Sequence, residues 1–211
     1  MKLGRITTFT SLVMALAFVC APVEARVVDG IDYQTGDVVF QQIGGELGRL
    51  VQGITRSPFD HCGIVIVNDD GTIDVLEAIT RVQRTSLAKW KGRGLGARIH
   101  VMRPLEAHQK SIRQFIEAAE KFTGLPYDRG FRMDDDSPYC SELIYKAFLT
   151  ATGVPLAPFQ SLAELHFLRH LPEILILGRG EFPWDRALIT PVALTRSSEL
   201  RVVHSEFEPS T

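Results

Sequence analysis

Residues 62–67, CGIVIV, run straight into Asn68-Asp69-Asp70-Gly71, and this junction leaves the chain little freedom. Val and Ile branch at Cβ, which suits a pleated, half-buried surface and crowds a helical turn. A dense β-branched run closed by a turn tetrapeptide predicts a buried strand that reverses direction. Residues 72–79, TIDVLEAI, then read as the returning strand of a hairpin. Gly36-Asp37 predicts a turn into a strand at 38–40, and 97–102 a further strand. Leu47, Leu50, Val51 and Ile54 recur at helical spacing, so 46–55 reads as a helix that Ser57-Pro58 stops. Ile112, Phe115, Ile116, Ala119 and Phe122 mark one face of a second helix, ended by Gly124. Leu143, Ile144, Ala147 and Phe148 mark another, stopped by Gly153 and Pro155. Residues 161–171 read as a third with Ser161 as N-cap, and 187–194 and 200–204 as strands. Helices and strands mix without regular βαβ alternation. The expected class is therefore α+β, with a mostly antiparallel sheet and helices packed on it.

The N-terminus addresses the chain. Lys2 and Arg5 precede an apolar run at 12–21, and Val23 and Ala25 occupy the −3 and −1 positions of a cleavage site. Residues 1–25 read as a secretory signal peptide, which implies a secreted or periplasmic protein with no transmembrane segment after cleavage. An uncleaved anchor is the alternative. The remaining chain of about 185 residues suits one domain, at 26–204, followed by a frayed tail at 205–211. A net charge of −2 gives no basic footprint, so nucleic acid is not an expected partner.

Of the three cysteines, Cys20 leaves with the signal, and Cys62 and Cys140 remain in an oxidising compartment. Cys140, in SPYCSELIYKAF, stands near the front of its helix, with Asp136 or Ser137 as N-cap and Pro138 in the first turn. Free N–H groups and the helix dipole there favour a thiolate. Three readings of Cys140 stay open: a small buried residue, half of a disulfide with Cys62, or a nucleophile. A nucleophilic thiol needs a base. His61 opens the apolar strand after the loop Ser57-Pro58-Phe59-Asp60, where a polar side chain sits at the sheet rim. Its neighbour Cys62 must leave the strand on the other face, and is expected to point away from Cys140. Glu77 is the carboxylate on the returning strand. Strict pairing of Val67 with Thr72 would set it opposite Cys62, and a one-residue bulge would set it opposite His61.

Three other motifs carry less. His166 and His170 are four apart, but HFLRH lacks the glutamate of a zinc helix and any evident third ligand, so no metal is expected. IGGELG, residues 43–48, lacks a phosphate-loop spacing. KWKGR, residues 89–93, reads as a solvated basic loop.

GDVVFQQ, SPFDHCGIVIV, VLEA, GLPYD and YCSELIYKAF, in that order, resemble the YiiX-like group of permuted papain-like cysteine hydrolases, relatives of the NlpC-type cell-wall peptidases. The match runs from about Gly36 to Phe148, with histidine strand before cysteine helix, the reverse of the papain order. The resemblance implies a circularly permuted papain-like fold with the nucleophile at a helix N-terminus. Carried over by position, it makes Cys140 the nucleophile, His61 the base, Glu77 the third member, and Tyr127 a residue lining the site and a candidate oxyanion donor. It implies no cofactor, and acyl transfer through a thioester. The implied substrate is an amide, in a peptidoglycan peptide or a γ-glutamyl-type peptide. Two alternatives stand beside this. One is a lipid acyl-ester hydrolase, thioesterase or acyltransferase on the same fold. The other is a non-catalytic binding domain with a degenerate or disulfide-blocked site.

Overall fold

The computed structural model describes residues 24–167, 170–177 and 186–208. The signal peptide expected at 1–25 therefore lies almost wholly outside the described residues. In chain order the strands are β1 (Ala25–Val28), β2 (Ile31–Gln34), β3 (Val38–Gln41), β4 (His61–Val67), β5 (Ile73–Ala78), β6 (Val82–Ser86), β7 (His100–Pro104), β8 (Gln160–Ser161), β9 (Ala187–Leu188) and β10 (Leu200–Ser205). The α-helices are α1 (Gly45–Thr55), α2 (Leu87–Arg93), α3 (Ile112–Glu120), α4 (Cys140–Thr152), α5 (Leu171–Leu177) and α6 (Pro191–Thr195). Six strands form one antiparallel sheet in the order β10-β7-β3-β4-β5-β6. This is an α+β fold.

β4 is buried along its whole length, which is why its apolar residues do not alternate with polar ones. Cys62, Ile64 and Ile66 face α3 and α4, packing with Phe115, Leu143 and Phe148. Val65 and Val67 face the other way, onto Trp90 of α2 and onto Ile31 and Tyr33 of β2. A third, smaller apolar cluster joins Leu50 and Ile54 of α1 to Leu162, Ile174 and Leu188.

Several elements differ from the sequence reading. The strand expected at 97–102 begins only at His100, because Leu95–Ala97 turns as a 3-10 segment with Ala97 at φ 53°. The helix expected over 161–171 is broken. Ser161 heads a 3-10 turn at Leu162–Glu164, and α5 starts only at Leu171. Between them Leu165 and Phe167 are drawn into the third cluster and the His166 amide donates to Ile54 O at 2.9 Å, so His166 and His170 share no helical face. Residues 187–194 form a short strand and then a helix capped by Thr190, whose hydroxyl accepts from Ala193 N. The C-terminal tail is held through Phe207. Ser205 ends β10, Glu206 exchanges hydrogen bonds with Ile99, and Phe207 packs edge-on against Phe59. Among the described residues no helix is long and apolar enough to cross a membrane.

Candidate active site

The hairpin register sets the carboxylate. Val67 pairs with Ile73 and Ile64 with Leu76. No bulge is needed; the pairing runs one residue further along than strict Val67–Thr72 pairing. Continued to the strand end, it places Glu77 across from Gly63, two residues from His61 and therefore on the same face. Gly63 permits this approach. A Cβ there would stand 2.4 Å from Val75 Cγ1 and 3.4 Å from Glu77 Cβ. The outcome is a buried contact of 2.6 Å between His61 Nε2 and Glu77 Oε2.

Glu77 is wholly buried and fully engaged. Thr85 Oγ1 donates to Oε1 at 2.6 Å, and the Arg93 guanidinium reaches both carboxylate oxygens at 2.6 Å. Burial alone would push its carboxyl pKa up. Hydrogen bonding to His61 and the imidazole charge, then Arg93 and Thr85, overcome that and hold it at about 2. Arg93 was expected in a solvated basic loop; it instead closes α2 and serves as counter-charge to Glu77.

Cys140 is the first residue of α4. The cap is Tyr139 rather than Asp136 or Ser137, its amide donating to Glu142 Oε2 at 3.3 Å. Two bonds fix this helix tip to the segment after β9: Tyr139 Oη accepts from Ile189 N at 2.9 Å, and Ser141 Oγ donates to Ile189 O at 2.8 Å. The acidic loop is tied away from the thiol. Asp135 pairs with Lys146 at 2.8 Å, and Asp134 Oδ1 accepts from Ser137.

His61 and Cys62 leave β4 on opposite faces, as strand alternation requires. His61 is the strand's first residue, so its ring lies at the open end where the tip of α4 arrives. It interacts there with Cys140. With Nε2 held by Glu77, Nδ1 is the nitrogen left for the sulfur. Burial pushes the imidazole pKa down, but hydrogen bonding to Cys140 and Glu77 and their charges raise it to about 9. The Cys140 thiol moves the other way, well below its ordinary value. Hydrogen bonding from Cys62 lowers it most, opposed by burial, and His61 lowers it further. A thiolate beside an imidazolium is the resting pair these shifts describe.

Cys62 corrects the sequence reading. It was expected to point away from Cys140, yet it lies in the same apolar cluster as Cys140 and acts on its thiol. The alternation argument was sound; the error was to assume that Cys140 shared a face with His61. Both cysteines are free and buried. Burial first, then the neighbouring Cys140, pushes the Cys62 thiol well up, so it stays protonated as a donor. Cys62→Ala should therefore raise the Cys140 thiol pKa and slow its alkylation at pH 6 several-fold, whereas Cys62→Ser keeps a donor and should resemble the parent. Iodoacetamide labelling rates check both; an unchanged Cys62→Ala profile contradicts the donor role.

Tyr127 is partly buried and lines the cleft together with Cys140, with its hydroxyl pKa pushed well up by burial first and then by the charge of Cys140. Asp60, just before His61, was read only as part of a loop. Its carboxylate accepts from Ile43 N at 2.7 Å, from Gly44 N at 2.8 Å and from Gln52 Nε2, pinning the entry to α1 against the start of β4. Among the described residues no group of three or more His, Cys, Asp or Glu is placed to hold a metal ion.

A strand-borne histidine preceding a helix-borne cysteine, on this sheet, defines the permuted papain-like class. The family described as permuted papain-like amidase enzyme, YaeF/YiiX, C92, matches residues 32–204, and the chain belongs to it. It is 26% identical over 181 residues to the uncharacterized protein YiiX of Escherichia coli K12, covering 82% of this chain and 87% of that one. It is also similar to the crystal structure described as metalloprotein yiiX from Escherichia coli O157:H7. There the TM-score is 0.76 at 26% identity, over 82% of this chain and 98% of the other.

Proposed function

We propose that this chain is a thiol amidase in which Cys140 is the nucleophile, His61 the acid–base group and Glu77 the residue that orients and charges the imidazole. The 2.6 Å contact between His61 and Glu77, with the same imidazole partnering a thiol at a helix N-terminus, carries the reading. Family membership supports a peptide-type amide as substrate.

In the proposed reaction the Cys140 thiolate attacks the amide carbonyl carbon. The oxyanion is held by the Cys140 N–H, one of the helix's unpaired donors, and by the Tyr127 hydroxyl. The His61 imidazolium gives its proton to the leaving nitrogen as the C–N bond breaks, leaving a thioester on Cys140. His61, now neutral, takes a proton from water. The hydroxide adds to the thioester, the thiolate departs, and acid and amine are the products. Glu77 stays ionised throughout and stabilises the imidazolium.

The proposed setting is the periplasm or the cell exterior, after removal of residues 1–25. The substrate class that goes with that setting is a peptidoglycan or γ-glutamyl-type peptide. Such a peptide brings ionised groups, and the cleft beside Cys140 carries the exposed Arg129. The rest of that cleft is mainly apolar, the observation that favours the alternative of an acyl-lipid substrate. The disulfide-blocked alternative gains no support from two free thiols. The reading is tested without a substrate by following alkylation of Cys140 against pH in the parent and in His61→Ala.

A further inference from the structure

The Glu77 carboxylate serves two nitrogen groups at once. Its Oε2 meets His61 Nε2 at 2.6 Å and Arg93 Nη2 at 2.6 Å, so imidazole and guanidinium share one oxygen. The same Nη2 also reaches Oε1, where Thr85 Oγ1 donates. Among the described residues the Arg93 side chain hydrogen-bonds only Glu77, and its Nε is buried without a partner. One carboxylate therefore holds the guanidinium in place while another of its N–H groups goes unpaired. Helix α2 delivers it. Leu87 and Trp90 seat that helix in the second apolar cluster, the Trp90 ring centroid lies 6.2 Å from that of His61, and Arg93 is the last helical residue.

The groups around His61 come from several elements. Cys140 acts on it from α4 and Glu77 from β5. Arg93 reaches the shared carboxylate from α2. Strand β3 contributes the uncharged Gln41, the register partner of His61. Asp60, one residue back, is engaged with Ile43 N, Gly44 N and Gln52 Nε2. Cys62 leaves β4 on the other face with its thiol pKa pushed well up by burial, and Tyr127 borders the cleft with Cys140. Burial lowers the imidazole pKa, and Cys140 and Glu77 overcome that and raise it to about 9. The guanidinium opposes them. Two like charges that share one oxygen in a buried site repel, so Arg93 makes the imidazolium release its proton more readily. An imidazolium held higher still would be a poor proton donor, because general acid catalysis works best with a pKa near the working pH.

We propose that Arg93 is a positioning residue acting through Glu77, whose charge keeps the His61 imidazolium acidic enough to hand its proton to the leaving amine. This rests on the amidase reading above.

The test is a pH titration of the His61 ring by NMR, in full-length protein labelled at histidine Cε1. The chain has six histidines, and the His61 signal is the one missing from His61→Ala. In the parent its midpoint should fall near pH 9. Arg93→Gln should move it up by about one pH unit, the effect of removing one neighbouring like charge. Arg93→Lys keeps a charge and should bring the midpoint back towards the parent. Lost packing alone would not be reversed by lysine. An unchanged or lowered midpoint in Arg93→Gln overturns the proposal, as does a lysine variant that titrates like the glutamine one. If Arg93→Gln does not fold, the same change is made on Glu77→Gln, which removes both buried charges together. That double variant should titrate about one pH unit above Glu77→Gln alone, and equal midpoints overturn the proposal. The titration needs no substrate and is separate from the alkylation profile of Cys140. A pH-independent alkylation rate with no Arg93 effect leaves the amidase reading standing; an Arg93 effect without that alkylation profile leaves the electrostatics standing and removes the amidase.

Discussion

Replacing Cys140 with serine is expected to lower amide turnover by a factor on the order of 10⁴ or more, and His61→Ala by a comparable factor, since groups that act as one unit fail together. Serine fills the same small volume at the head of α4, and the neighbouring anchors to Ile189 involve Tyr139 and Ser141 rather than the sulfur. Folding should therefore be preserved, and circular dichroism with a thermal melt checks this beside the turnover assay. A Cys140→Ser protein with full activity removes the thiol from the reaction. The double variant should be little worse than either single one, and a multiplicative loss would mean that the two side chains act independently.

Glu77→Gln should be the most destabilising single change at the site. The carboxylate is wholly buried and faces an imidazole and a guanidinium that is itself mostly buried. Removing one member of a buried charge cluster leaves the others uncompensated, at a cost of roughly 3 kcal/mol. Part of that is relieved because Arg93 is 26% exposed and keeps some water. The pH dependence has a definite sign. The carboxyl pKa is about 2 in the folded chain against an ordinary 4.5, so the unfolded chain binds the proton more tightly. The stabilisation is present in full above 4.5 and is lost as pH falls towards 2. Urea denaturation at pH 7 and pH 3 should show the parent's advantage over Glu77→Gln shrinking at the lower pH. An equal gap at both would mean that Glu77 is not ionised in the folded chain. Activity should suffer less than in Cys140→Ser, because Glu77 acts through His61.

The pieces of this site were legible in the sequence to very different degrees. The hairpin could be read because CGIVIV and NDDG are local signals, and His61, Glu77 and Cys140 stood out as polar or nucleophilic residues at element ends. Their order then brought the family into view. Register could not be read. Whether Glu77 opposes Cys62, Gly63 or His61 depends on a turn whose length the residues leave open, and the structure chooses Gly63, where a missing Cβ makes room. Arg93 was invisible for a different reason. Its charge is satisfied by a residue sixteen positions away, and a basic stretch looks the same whether it faces water or a buried carboxylate. Cys62 was misplaced because strand alternation fixes which face a side chain takes but says nothing about which face receives the helix. The broken helix around 166 shows apolar anchoring at Leu165 and Phe167 overriding a helical spacing.

The most direct measurement is the rate of Cys140 alkylation by iodoacetamide from pH 4 to pH 10, by peptide mass analysis, in the parent chain and in His61→Ala. A thiolate held against an imidazolium should react at a rate nearly independent of pH across the neutral range, with the imidazolium lost near pH 9. In His61→Ala the rate should fall at neutral pH and climb only as an ordinary thiol ionises. Matching profiles for the two proteins, or a Cys140 that resists labelling throughout, would contradict the pairing on which the proposed chemistry depends.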